Sequence, residues 1–127
     1  MTGRSRRRRR RGRKTVWMLE PALLMLLHYG PAHGYTLLEQ LKEFGLGDLN
    51  TSVVYRALRY MESKGWVLST WDTKHTRGPP RRIYRLTELG DEMLGQHILD
   101  LQETRGAINH FIGAYSQHME EGEGEYH

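Results

Sequence analysis

At Gly65 the periodicity of this chain changes, and the switch restricts the folds open to it more than any other feature. Upstream, apolar residues recur every three or four positions, as helices with one buried face require. A first helix is expected from about Leu19 to Tyr29, with Pro21 in its first turn, Leu23, Leu24, Leu27 and His28 filling more than one face, and Gly30 and Pro31 ending it. A second is expected over Tyr35 to Phe44, with Leu37, Leu38 and Leu41 at helical spacing and Gly45 as its stop. Asn50, Thr51 and Ser52 each offer an N-cap to a third helix that stops at Gly65. Downstream, WVLSTW and RIYRL are rich in aromatic and β-branched residues, and the polar DTKHTRGPPR between them is kept out of helix and ladder by Gly78, Pro79 and Pro80. This reads as a hairpin with a long basic tip. Thr87 then caps a last helix whose first turn carries Glu88, Asp91 and Glu92, the sign that suits a helix N-terminus.

The fold class expected from this order is mainly α with a small β-hairpin: a winged helix-turn-helix domain followed by a long C-terminal dimerisation helix. With 127 residues, 38% of them hydrophobic, the chain can bury one modest core. Its parts are expected to be an Arg-rich disordered arm (residues 1–14), the winged domain (15–86), the helix (87–120) and an acidic flexible tail (121–127). No run approaches the roughly 18 apolar residues of a membrane span. The basic N-terminus has no small-residue cleavage site and runs into Glu20 and Pro21, so it reads as a retained segment. With no cysteine to make a disulfide, a thiolate metal site or a nucleophile, a cytoplasmic location is expected.

The net charge of +4 conceals a sharp division along the chain. Residues 1–14 hold eight arginines and Lys14, and residues 50–85 hold eight basic against two acidic side chains. Residues 86–127 hold Arg105 against nine acids. Positive charge gathered in an arm and a central block points to a polyanion there. At about 100° per residue, the third helix puts Val54, Ala57, Leu58 and Met61 on one side and Ser52, Tyr55, Arg56, Arg59 and Ser63 on the other. The polar side suits base edges and phosphates in a major groove, though alone it also suits a solvated face. A hairpin would project Lys74, His75, Arg77, Arg81 and Arg82 from the same side as this helix, within reach of phosphates or an adjacent minor groove.

Along the last helix Leu94, Ile98, Leu101, Arg105, Ile108, Ile112, Tyr115 and Met119 alternate steps of four and three, an a/d seam broken once by Arg105. On a helix of roughly 30 residues this seam exceeds what so small a core can cover. A second copy of the chain is expected over Leu94, Ile98, Leu101, Ile108, Ile112 and Tyr115, with part of the helix packing back on Trp17 and the first helix.

The pieces GPAHGY, VYRALRYMESKGW and RRIYRLTELG occur together, in order, over about residues 18–90, and in this the chain resembles the PadR family of transcriptional regulators. The resemblance implies a homodimer on double-stranded DNA, a palindromic operator and repression. It implies that Tyr35, Thr51, Ser52, Tyr55 and Arg56 lie at or near DNA, assisted by Arg81 and Arg82. Tyr55 and Tyr84 equally suit packing residues between helix and wing. A small-molecule effector is also implied, of unknown identity. Some members of the family's short branch stack flat aromatic drugs on a tryptophan of the last helix. Here Trp17, Trp66 and Trp71 lie elsewhere, and the last helix offers Phe111 and Tyr115.

No enzyme is expected: there is no Gly-rich phosphate loop, no nucleophile elbow and no paired carboxylates outside the last helix. Nor is a cofactor or a metal. The seven histidines show no recognised ligand spacing, although His97 could share a helix face with Asp100 or Glu103. His28 and His33 read as a packed and a turn histidine. The rival function is a winged-helix interaction module that docks an acidic protein or RNA.

Overall fold

The computed structural model describes residues 17–74 and 78–122. The arm at 1–14, Arg77 and His75 in the wing tip, and residues 123–127 lie outside them. The chain divides into two compact units, Met1–Leu94 and Gly95–His127.

The first unit follows the expected order of three helices and a wing. Helix α1 covers residues 17–29, so Pro21 sits past the first turn of the observed helix rather than in it, where its missing N–H removes one backbone bond. Leu19, Leu23, Leu24, Leu26 and Leu27 of α1 are buried, which explains why its apolar residues occupy more than one face. The second helix is shorter than expected: α2 spans Gly34–Gln40, and the chain then tightens into a 3-10 turn, Leu41–Phe44, ended by Gly45. Helix α3 spans Thr51–Ser63 with Asn50 as its N-cap. Gly65, at φ +80°, turns the chain out of α3, and the Trp66 N–H closes the turn on the Met61 carbonyl at 3.0 Å.

The wing is more than a hairpin. Strands β2 (Val67–Asp72) and β3 (Arg81–Leu86) pair antiparallel from Val67↔Leu86 to Asp72↔Arg81. A third strand, β1 (Ala32–His33), lines the other edge of β3, with Ala32↔Tyr84 and His33↔Ile83, so the sheet runs β1-β3-β2. Two residues are too few to show a period of two. His33 therefore lies in a strand instead of a turn, and its Nε2 meets the Asp72 carboxylate at 2.9 Å. His28 is not packed either: half its side chain faces solvent (51%), and its Nδ1 meets Asp91 at 2.9 Å.

Val54, Leu58 and Met61 of α3, Leu37 and Leu41, and Val67 of β2 are fully buried, as are Leu23 and Leu24 of α1, and each contributes roughly 1.5–3 kcal/mol by leaving water. Thr87 joins three elements at one corner. Its hydroxyl donates to the Gly65 carbonyl (2.7 Å) and accepts from the Gly90 N–H (2.9 Å), and its own N–H reaches the Trp66 carbonyl (3.1 Å).

Helix α4 spans Glu88–Glu121, 34 residues, one position further along than the expected 87–120. Its start, through Leu94, belongs to the first unit, where Gly90 and Leu94 are buried. In the second unit Ile98 and Leu101 are half-buried, whereas Ile108 (49%), Ile112 (60%) and Tyr115 (66%) are exposed, as are Phe111 and Met119. Among the described residues no helix is long and apolar enough to cross a membrane.

Candidate nucleic-acid interface

Helix α3 begins with a side-chain cap: the Asn50 Oδ1 accepts from the Ser52 N–H and from the Ser52 hydroxyl, each at 3.0 Å. The cap sets where the helix begins, and burial of Val54, Leu58 and Met61 sets which face turns to the core. Ser52, Arg56, Arg59 and Ser63 are left as an exposed stripe with steps of four, three and four, and Thr51 is exposed beside its start.

Tyr55 lies between these faces and is half-buried. A Cβ added at Gly34, the first residue of α2, would stand 2.5 Å from the Tyr55 hydroxyl oxygen and 2.6 Å from its Cε1. The ring therefore rests on the bare backbone of Gly34, a packing contact between α2 and α3. Tyr84 is buried beneath the same region. Its phenol is held above the ordinary value of 10.0, first by burial and then by Tyr55, with Glu62 acting in the same direction against Arg82 and Arg59. The neutral phenol is thus the form the fold favours, so Tyr84 costs no stability below the unfolded pKa, and stability falls as pH rises through 10 and above. Chemical denaturation of wild type and Tyr84→Phe between about pH 8 and 11 is expected to show the wild type alone losing this increment.

Tyr35, exposed at the start of α2, is stacked on the His33 ring (centroids 5.2 Å apart, planes 18° apart), and the Arg81 guanidinium lies 4.8 Å from the Tyr35 centroid. On the opposite sheet face, Arg82 covers the Trp71 ring at 4.7 Å, and its Nη1 donates to the Ser69 hydroxyl at 2.7 Å. Ser69 in turn donates to Glu62 Oε2 at 2.7 Å. One groove of about 670 Å³ has walls that include Tyr35, Tyr55, Arg59, Glu62, Arg81, Arg82 and Tyr84.

Five of the ten residues expected at DNA (Tyr35, Tyr55, Arg59, Arg81 and Arg82) therefore come together along this groove. Thr51, Ser52 and Arg56 lie on the exposed surface of α3, and Lys74 is exposed at the wing. Glu62, Ser69 and Trp71 carry contacts that the sequence reading did not assign. Their signal was the two-residue alternation of Ser69 and Trp71 against Tyr84 and Arg82, which becomes visible once the strand register is known.

Among the described residues no group of three or more His, Cys, Asp or Glu is arranged to hold a metal ion. No curated protein matches the chain significantly in sequence. Solved structures do. A PadR-like transcription factor from Bacteroides fragilis is 29% identical, with a TM-score of 0.62 over 85% of this chain and 98% of its own. A PadR family transcriptional regulator from Eggerthella lenta is 26% identical, with a TM-score of 0.67 over 79% and 82%. A PadR family transcription regulator from Clostridium difficile shares the fold at 24% identity, with a TM-score of 0.66 over 75% and 98%. The family model described as the transcriptional regulator PadR-like family matches residues 23–96, which include the whole groove. The chain belongs to the PadR-like family, and with it to the DNA-binding transcriptional regulators rather than the enzymes.

Proposed function

We propose that this regulator acts in the cytoplasm as a homodimer that recognises a specific, palindromic operator and represses from it, with a small molecule relieving repression. The observation that carries the reading is the exposed Ser52, Arg56, Arg59, Ser63 stripe of α3, whose Arg59 shares a groove with Arg81 and Arg82 of the wing. In this reading Arg56 and Arg59 meet base edges and phosphates, Thr51, Ser52 and Tyr35 assist, and Lys74, Arg77, Arg81 and Arg82 reach the flanking backbone or minor groove. Tyr55 serves chiefly by seating α2 against α3. Twofold pairing through Ile98, Leu101, Ile108, Ile112 and Tyr115 accounts for the apolar side chains that α4 exposes, while Leu94 contributes from the core of its own chain. An effector would act by changing how far apart the dimer holds its two recognition helices.

A gel-shift of the full chain against DNA from upstream of its own gene tests this. The complex should survive excess unrelated duplex, and Arg56→Ala should weaken it by about tenfold or more, the scale of one lost base contact. Binding that is uniform across sequences and erased by salt would overturn the reading in favour of a general polyanion surface.

A further inference from the structure

Glu62 is anomalous where it stands. It is a carboxylate in a groove whose other charged side chains include Arg59, Arg81 and Arg82, and it would repel any phosphate that approached. Its contacts give it another task. The Ser69 hydroxyl has one proton and gives it to Glu62 Oε2 at 2.7 Å, which leaves its lone pairs to accept from Arg82 Nη1, also at 2.7 Å. Polarised by the carboxylate, the hydroxyl becomes a stronger acceptor for the guanidinium. The Trp71 ring, cross-strand partner of Arg82, supports the guanidinium from another side at 4.7 Å. Two hydrogen bonds thereby join α3, β2 and β3, and the donors of Arg82 that Ser69 does not use stay available.

We infer that Glu62, acting through the Ser69 hydroxyl, is a positioning residue that fixes Arg82 for DNA in register with the recognition helix. This rests on the reading that the wing and α3 meet one duplex. A long arginine otherwise loses its rotamer freedom on binding, and a preset one avoids that loss, so the bridge raises affinity for the cognate fragment more than for random sequence.

Fluorescence anisotropy of the full chain on its upstream fragment and on an unrelated duplex tests it. Ser69→Ala is expected to weaken cognate binding by about tenfold, the scale of a charge-assisted contact, while changing affinity for the unrelated duplex by less than about twofold. Ser69→Thr, which keeps the hydroxyl, should retain most of the cognate affinity, whereas Glu62→Ala, which removes the acceptor, should weaken cognate binding as Ser69→Ala does. Ser69→Ala combined with Arg82→Ala should bind no more weakly than Arg82→Ala alone, an outcome that a merely structural role for Ser69 would not produce. Wild-type cognate affinity in Ser69→Ala, full additivity in the double variant, or an equal loss in Ser69→Thr would overturn the inference. A wild type that does not prefer its own fragment would instead overturn the operator reading beneath it.

Discussion

Gly90→Ala is expected to destabilise the winged domain by about 2–4 kcal/mol, the cost of forcing a methyl group into a packed backbone contact. On helix propensity alone the same substitution would stabilise α4 by up to about 1 kcal/mol, so the two effects oppose each other and their magnitudes decide. Packing wins because of what the new Cβ would meet. It would run into the Trp66 carbonyl oxygen and would stand 2.6 Å from a methyl of Leu86. The carbonyl cannot yield, since it is backbone and already accepts the Thr87 N–H. Gly95, Gly106 and Gly113, on the same helix, have nothing within 4 Å of an added Cβ. Urea unfolding of Gly90→Ala at fixed protein concentration, with Gly106→Ala as the reference, measures the difference. A Gly90→Ala protein as stable as wild type would mean that the close approach of α4 to the end of α3 is wrong.

The second large effect concerns α4. Ile108→Glu with Ile112→Glu is expected to turn a dimer into a monomer and to weaken operator binding by about 100-fold or more, because each half-site then binds without the effective concentration supplied by its twin. Phe111, at 77% exposure, lies between the two isoleucines in sequence, and together they make an apolar surface that a lone helix would present to water. Neither isoleucine is buried within its own chain, so the substitutions leave the core of the winged domain untouched. Sedimentation equilibrium reads the mass and a gel-shift reads the affinity. A wild type that sediments as a single chain at micromolar concentration, or a doubly substituted protein that still dimerises, would remove this surface from the proposal.

What could be read from the residues depended on how local the signal was. Helix α3 was legible because Asn50, Gly65 and the spacing of Val54, Leu58 and Met61 all act within a few residues of one another. The Thr87 cap was legible for the same reason. Strand β1 was not, because two residues in a strand look like two residues in a turn until β3 is laid beside them. His28 was misread because its neighbours Leu26 and Leu27 are buried, while its actual partner, Asp91, is 63 positions away. The Glu62, Ser69, Arg82 bridge spans far shorter separations, 7 and 13 positions, and was concealed instead by the strand register. The connection between β2 and β3 left the pairing open, and a slip of one residue would have moved Ser69 to the other face of the sheet.

The His33–Asp72 bond has a practical consequence. His33 is in β1 and Asp72 in β2, strands that flank β3 without touching each other in the ladder, so the bond straps the sheet edge to edge while the ring beneath Tyr35 ties it to α2. The hairpin is therefore not a cassette. A chimera that borrows residues 67–86 for another regulator would leave Asp72 facing a stranger and Arg81 without its tyrosine; the transplantable piece must carry residues 32–35 along with the hairpin.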